Sequence, residues 1–563
     1  MDYKQQLSLY LAQVTDLPAN EAADLLETPP DPSMGDFAFP CFKLARTWRK
    51  APPVIAAEIK EKLTLPDFVS RAEVAGPYLN FFLDQAGFAK STLGAIAEAG
   101  EKYGSSTMGE GKKVVIDYSS INIAKPFHIG HLSTTAIGNA LYRIYGFLGY
   151  TPVGVNHLGD WGTQFGKLIY AYKTWGSKED VEKRSIHALL ELYVRFHDEA
   201  EKNPALNDEG RAWFKKIEDG DEEALALWNW FKEVTLKEVG KIYDLLGVKF
   251  DSYAGEAFYN DKMQPVIDEL REKNMLELSE GAYVVRLDEY DLAPCIILKS
   301  DGTTLYATRD LAAAFYRKEN YDFHKCLYVV AYQQNLHFKQ LFKVIELMGY
   351  DWAKDMVHVN FGMVSLPDGT LSTRKGHVVF LEDVLKQAIA KTRAVMEEKN
   401  PDLENKDQVA QDIGVGAVVF SALSGSRIKD IVFDLDRVLN FDGETGPYVQ
   451  YTHARALSVI RKAGNVDAAP DYSALVGPQA LSVLKLLEAF PEVIKKACDK
   501  NEPSFITRHV VDLAQAFNKF YYDVRIIDED AAVTAARLEL ARATAQVLKT
   551  GLHLIGVNAP DRM

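Results

Sequence analysis

The spacing of apolar residues changes several times along this chain. Over residues 1–95, amphipathic helical stretches alternate with short continuous runs such as Val69 to Val74 and Tyr78 to Phe82. That mixture predicts an α+β N-terminal part. A Gly-, Ser- and Lys-containing stretch from Gly100 to Lys113 follows and reads as a linker. From Val114 onward, candidate strands at 114–118, 152–156, 294–298, 326–331 and 356–364 alternate with helical patterns near 131–148 and 335–349. Such alternation predicts a doubly wound parallel sheet whose ligands lie beyond the carboxyl ends of its strands. Residues 177–247 interrupt it with charged helical sequence, including Ala224-Leu225-Ala226-Leu227-Trp228-Asn229-Trp230-Phe231. This is a helical insertion whose tryptophans are expected to pack a core. From about Val418 almost every segment is helical, as at Ala480–Ala489, Ser504–Tyr521 and Ala531–Leu554. Without internal repeats, these segments predict a helical bundle. The expected protein is multidomain α/β: residues 1–105, a Rossmann-like domain at 106–425 carrying the insertion, and helices at 426–563.

Bulk properties narrow the function classes. At 563 residues the chain exceeds what one core supports. No apolar run approaches the ~20 residues of a membrane span. The start, Met1-Asp2-Tyr3-Lys4-Gln5-Gln6, has neither a basic n-region nor an apolar h-region, so a cytoplasmic protein is expected. Cys41, Cys295, Cys326 and Cys498 form no CxxC pair, which supports neither a disulfide framework nor a zinc ribbon. A net charge of −15 argues against a general nucleic-acid coat but leaves room for one specific RNA partner.

The chemistry concentrates at Lys125-Pro126-Phe127-His128-Ile129-Gly130-His131. An apolar run, Val114-Val115-Ile116-Asp117-Tyr118, precedes it, and a helical pattern with Ile137, Leu141, Ile144 and Leu148 follows. A helix N-terminus offers unpaired N–H groups and partial positive charge, which attract phosphate. Gly130 lets a flat ring approach the backbone, and two imidazoles can donate to phosphate oxygens. Surface histidines beside a helix cap would leave the same tetrapeptide. A second loop, Pro367-Asp368-Gly369-Thr370-Leu371-Ser372-Thr373-Arg374-Lys375-Gly376, carries small hydroxyls, two cations and flanking glycines. It is suited to close over a triphosphate, although a solvated basic hairpin has a similar composition.

The run Ser119-Ser120-Ile121-Asn122-Ile123-Ala124-Lys125-Pro126-Phe127-His128-Ile129-Gly130-His131 resembles the HIGH region of class I aminoacyl-tRNA synthetases, and more narrowly of arginyl-tRNA synthetases. The likeness continues through Leu158-Gly159-Asp160-Trp161-Gly162, Asp301 to Asp310, Gln334-Asn335-Leu336-His337-Phe338 and Gly446-Pro447-Tyr448, and reaches Asp561-Arg562-Met563. It implies ATP-dependent activation of L-arginine to an adenylate, then transfer to the terminal adenosine of tRNA(Arg), with tRNA bound before activation proceeds. Such a reaction needs no enzyme nucleophile, only positioning and charge screening. Mg²⁺ would ride on ATP, with no dedicated protein metal site. A monomer is expected.

The resemblance also implies residue roles. His128, His131 and Lys125 serve catalysis, with Arg374 and Lys375 from a degenerate KMSKS loop in which Thr370 and Thr373 stand where lysines are usual. ATP is expected against Pro126, Phe127, His128, Gly130, His131, Phe361, Gly362, Met363, Val364, Ser372 and Thr373. A guanidinium presents five donors, so its pocket needs acidic partners. Asp117 ends the first strand, and Asp310 follows Tyr306 by one helical turn. With Gln334 these line the arginine pocket, while Ser120, Asn122 and His131 hold the α-amino and carboxylate groups. Asp117 replaces a more usual Glu, Ile121 a Pro and Ser133 an Arg. Asp310 as an N-cap, and Asp160 as a turn residue, are the structural alternatives. Tyr448, Tyr451, His453 and Arg455 suit an anticodon platform, and equally a packed helix face. The N-terminal domain is expected at the outer corner of the tRNA. Rival readings are a class I synthetase for lysine, a nucleotidyltransferase sharing the HxGH loop, and a tRNA-binding relative without catalysis.

Overall fold

The N-terminal apolar runs form strands β1 (Phe37–Pro40), β2 (Val69–Ala75) and β3 (Tyr78–Leu83), antiparallel in the order β1-β3-β2. Helices Tyr3–Thr15 and Pro52–Lys62 cover them, burying Leu7, Leu11, Ile55 and Ile59 against Phe39, Leu79 and Phe81. The computed structural model describes residues 3–563 except Pro126, 300–303, Leu305, Asp368 and 371–378; for Pro32, Gly369 and Thr370 it describes backbone alone. Two compact units result. One comprises Met1–Tyr103, Arg455–Phe490 and Asp512–Val547, and the other Gly104–Ala454, Pro491–Val511 and Leu548–Met563.

The second unit is built on a parallel sheet of β4 (Lys113–Asp117), β5 (Thr151–Val155), β9 (Lys325–Tyr328) and β10 (Met356–His358), in the order β10-β9-β4-β5. Val114, Val115 and Ile116 are fully buried, as a strand covered on both faces requires. After β4 the chain crosses through helix Leu132–Phe147 to β5 on one side, while β9 pairs on the other. The end of β4 is therefore the topological switch point, where a ligand crevice opens. Helix Leu132–Phe147 packs very closely there: a Cβ on Gly138 would meet the Tyr118 ring at 2.2 Å.

Two predicted strands take different places. The segment at 294–298 is β8 (Cys295–Lys299), which joins β6 (Glu277–Ser279) and β7 (Ala282–Val285) in a separate antiparallel sheet. Its partners are short, at three and four residues, at or below the shortest run that marks a strand. The segment 356–364 divides into β10 and β11 (Val364–Leu366), the latter pairing with β12 (Gly369–Thr370) and β13 (Ile431–Val432). The insertion is helical as expected, from Lys178–Arg184 to the long Glu222–Leu246. Helices Gly446–Ala463, Pro478–Lys500, Ser504–Asp523 and Ala531–Leu554 complete the chain.

Candidate active site

The loop after β4 is held in an unusual path. Ser119, Ser120 and Ala124 all have positive φ, at 68°, 44° and 59°, which non-glycine residues adopt only when their surroundings enforce it. Those surroundings come from two helices. The Ser119 N–H donates to Thr134 Oγ1 at 3.0 Å, whose hydroxyl donates to the Val329 carbonyl at 2.7 Å. Thr135 Oγ1 lies 2.9 Å from Ser119 Oγ. From the insertion, Thr235 Oγ1 accepts the Ala124 N–H at 3.1 Å, and Tyr243 OH pairs with Ser119 Oγ at 2.8 Å. The insertion thus buttresses the loop that leads into the histidine turn.

In that turn His128 is the N-cap of the 3₁₀ segment Ile129–His131, which runs into helix Leu132–Phe147. His128 Nδ1 accepts the Gly130 N–H at 3.0 Å, and His131 Nδ1 accepts the His128 N–H at 3.2 Å. Both Nδ1 atoms are acceptors, so both rings carry their proton on Nε2 and keep that N–H as a donor. Burial, then the charge of Lys125, lowers the His128 pKa. Burial, followed by the neighbouring His128, pushes His131 down to about 3. At neutral pH the pair consists of uncharged donors. Cationic charge must come from Lys125 and from elsewhere.

The strand β11 leads toward the second basic loop, and the chain beyond it returns to this turn. The Ile129 N–H donates to the Val379 carbonyl at 3.1 Å, and the Leu381 N–H to the Phe127 carbonyl at 2.9 Å. Phe361, Gly362 and Val364 are buried and Met363 is exposed on the approach to β11. Pro126, Ser372, Thr373, Arg374 and Lys375 lie outside the described residues.

Beside the turn is an acidic cluster. Asp310, in helix Tyr306–Tyr321, keeps 29% side-chain exposure and is braced by two histidines. His337 Nε2 is 2.6 Å from Asp310 Oδ2, and His157 Nε2 is 3.8 Å from Oδ1. Burial by itself would raise the Asp310 pKa, but the His337 hydrogen bond and the nearby His337, His157 and Arg317 hold it below the usual range. Asp310 is neither an N-cap nor an isolated surface acid. Asp117 is buried at the end of β4, accepting Ser120 Oγ at 2.7 Å on Oδ1 and the Arg317 guanidinium at 2.8 Å on Oδ2. Tyr306 is 71% exposed at the start of the Asp310 helix. Gln334 is exposed beyond β9, and Asn122 bridges to Gly159.

Asp160 is fully buried, pairing with Lys232 at 2.5 Å and accepting the Ala257 N–H at 2.8 Å, so it ties the insertion to the sheet. Glu256, which nothing in its local sequence singled out, has its pKa raised to about 7; burial dominates and Asp310 and Asp160 add to it, against Arg309. His157, His337 and Arg317 also had no assigned role from sequence. His337 lies within one of the blocks that carry the resemblance and His157 immediately before another, which is the one signal that pointed near them.

The four candidate RNA-binding residues share helix Gly446–Ala463. His453 is buried, its Nδ1 3.1 Å from the Pro560 carbonyl. Arg455 donates to Asn518 Oδ1 at 2.6 Å and lies 5.4 Å from the Tyr521 ring, while Tyr451 is exposed.

A parallel sheet, a phosphate-seeking turn at its switch point and an acidic pocket alongside are the parts of an amino-acid-activating enzyme. The model of the family "tRNA synthetases class I (R), catalytic domain" matches residues 92–435, which places the chain among class I aminoacyl-tRNA ligases. "Arginyl tRNA synthetase N terminal domain" matches residues 1–83 and "DALR anticodon binding domain" residues 449–563. Curated relatives from Alkaliphilus metalliredigens (strain QYMF) and Clostridium perfringens (strain 13 / Type A), both named arginine–tRNA ligase, are each 56% identical, with 100% of both chains covered. The solved Thermus thermophilus arginyl-tRNA synthetase superposes with a TM-score of 0.82 at 26% identity, covering 100% of each chain. The chain belongs to the arginyl-tRNA synthetase family. The family resemblance and the fold class read from sequence are borne out.

Proposed function

We propose that this enzyme joins L-arginine to tRNA(Arg) through an arginyl-adenylate, acting as a monomer in the cytoplasm. The reading is supported above all by Asp310, a partly exposed carboxylate braced by His337 and His157 beside the histidine turn. A carboxylate held ionised in a largely dry cleft matches a guanidinium fork, and leaving such a fork unpaired would be costly.

In this reading ATP lies against Phe127, His128, Gly130 and His131, with its phosphates at the start of helix Leu132–Phe147. The arginine carboxylate attacks the α-phosphorus, and pyrophosphate leaves. The Nε2–H donors of His128 and His131 stabilise charge that grows on the phosphate oxygens, which neutral, preorganised donors do without reorganisation. Lys125, Arg374 and Lys375 screen the departing pyrophosphate; Mg²⁺ arriving with the triphosphate would supply further charge neutralisation. Asp310, Asp117, Tyr306 and Gln334 select the side chain, while Ser120 and Asn122 hold the amino-acid head. The 2′-OH of the terminal adenosine then attacks the adenylate carbonyl and releases AMP. Tyr448, Tyr451 and Arg455 contribute to anticodon binding, with His453 orienting their helix from beneath. Residues 1–105 contact the outer corner of the tRNA, 106–425 catalyse, and 426–563 bind the anticodon. Among the described residues no helix is long and apolar enough to cross a membrane.

Aminoacylation of total tRNA with each amino acid in turn tests the reading. Arginine alone should be charged; charging with lysine, or none at all, overturns it. ATP–pyrophosphate exchange should require tRNA, and exchange at full rate without tRNA would remove that part.

A further inference from the structure

The segment Val379-Phe380-Leu381 forms an antiparallel bridge with the histidine turn, and Phe380 stands directly opposite His128. The Ile129 N–H donates to the Val379 carbonyl and the Leu381 N–H to the Phe127 carbonyl, so these bonds flank the His128–Phe380 pair. In such a narrow pair the two side chains leave the backbone on one face and lie close together. The Phe380 side chain is therefore the cross-strand neighbour of the His128 ring.

Local preference does not account for a phenylalanine at this position. Phe380 is the N-cap of helix Leu381–Lys399 and makes no side-chain cap bond. Ser, Thr, Asp or Asn there would accept one of the unpaired N–H groups of the first turn, and an aromatic ring cannot. The half-buried Phe380 ring instead meets the insertion. The His187 ring centre lies 4.8 Å from that of Phe380, with the planes inclined at 47°.

His187 is the second residue of helix Ile186–Lys202 and is exposed. That helix is entered through Ser185 at φ 54° and ψ −129°, again without a side-chain cap bond. A serine holds such a backbone only where its surroundings fix the path of the chain. Two helix starts, each lacking the cap its position favours, thus meet through one ring pair beside His128. Departures from local preference that bring no local gain point to a role set by tertiary structure.

We propose that His187 is a positioning residue for adenylate formation. It holds the Phe380 ring in place beside His128, and so fixes the imidazole whose Nε2–H stabilises charge on the phosphate oxygens. The insertion then supports the histidine turn at a second point, besides the Thr235 and Tyr243 hydroxyls that brace the loop before it. The inference rests on the ATP reading above.

The test is tRNA-supported ATP–pyrophosphate exchange by the full-length enzyme. An aromatic contact of this kind is worth about a two- to tenfold effect. His187→Ala should lower kcat by about fivefold, with the KM for ATP and for arginine each within about twofold of wild type, because the His128 bond strengthens only as charge develops. Melting temperature and tRNA binding should not change. His187→Phe, which keeps a ring, should restore the rate, and His187→Gln, polar without a ring, should not.

A kcat for His187→Ala within about twofold of wild type makes the ring pair a surface contact and overturns the proposal. A lower melting temperature with both KM values raised makes His187 a packing residue and overturns it too. So does a rate that His187→Phe fails to restore. Phe380→Leu completes a double-mutant cycle: the double variant should be no slower than the slower single one, and multiplied losses would show two independent residues. Failure of the ATP reading is distinguishable, since His128→Ala would then exchange at the wild-type rate whatever His187 does.

Discussion

His337 Nε2 lies 2.6 Å from Asp310 Oδ2, across 27 residues of sequence. The imidazole occupies one edge of the carboxylate, and His157 stands 3.8 Å from the other oxygen. The acid is thereby oriented by two imidazoles, one against each of its oxygens.

Asp310→Ala should lower kcat/KM for arginine by about 100-fold or more, since removing one side of a desolvated charged contact leaves the other unpaired. Binding of tRNA, measured by filter retention, should stay near wild type. Lost tRNA binding would make Asp310 a structural residue.

Glu256→Gln should stabilise the protein at alkaline pH only. The folded pKa of about 7 lies above the ordinary 4.5, so between these values the native state holds more protons than the unfolded chain. Stability then falls as pH rises through that window, and Gln removes the penalty. The melting temperature should rise by about 2 °C or more at alkaline pH and stay unchanged near the acid end. An equal gain at both ends would contradict this.

The histidine turn predicts the opposite slope. His131 is held down to about 3 against an ordinary 6.5, so the unfolded chain takes up the proton first. Stability contributed by neutral His131 is complete above about pH 6.5 and is lost as pH falls below it. His131→Gln should flatten the acid limb of melting temperature against pH, measured by calorimetry, while abolishing most adenylate formation. An unchanged acid limb would assign the sensitivity elsewhere.

Gly138→Ala inserts a methyl group 2.2 Å from the Tyr118 ring. Overpacking of this kind costs about 1–3 kcal/mol, and here the ring must move. Since Tyr118 opens the loop to Ser120 and Asn122, the arginine KM should rise together with the loss of thermal stability. A variant with wild-type stability and KM would show that the helix can shift freely.

The histidine turn was legible because its signals are local: a buried strand, a capping position and a helical period follow one another within about 35 residues. The parallel strands at β4, β5 and β9 were legible for the same reason, each being a short apolar run bounded by turns. β8 misled because a run of apolar residues does not say which sheet it will join, and its partners β6 and β7, at three and four residues, are too short to announce themselves.

Sequence alone determined most of the helices, the strands of the parallel sheet and the strand–turn–helix path of the histidine turn, because periodicity and capping act between near neighbours. Tertiary structure alone decided that β9 rather than β8 flanks β4, that Asp310 is braced by His337 and His157, and that Asp117 is matched by Arg317 from 200 residues away. Charge compensation depends on distance in space and on the exclusion of water. Neither quantity exists until the chain has folded.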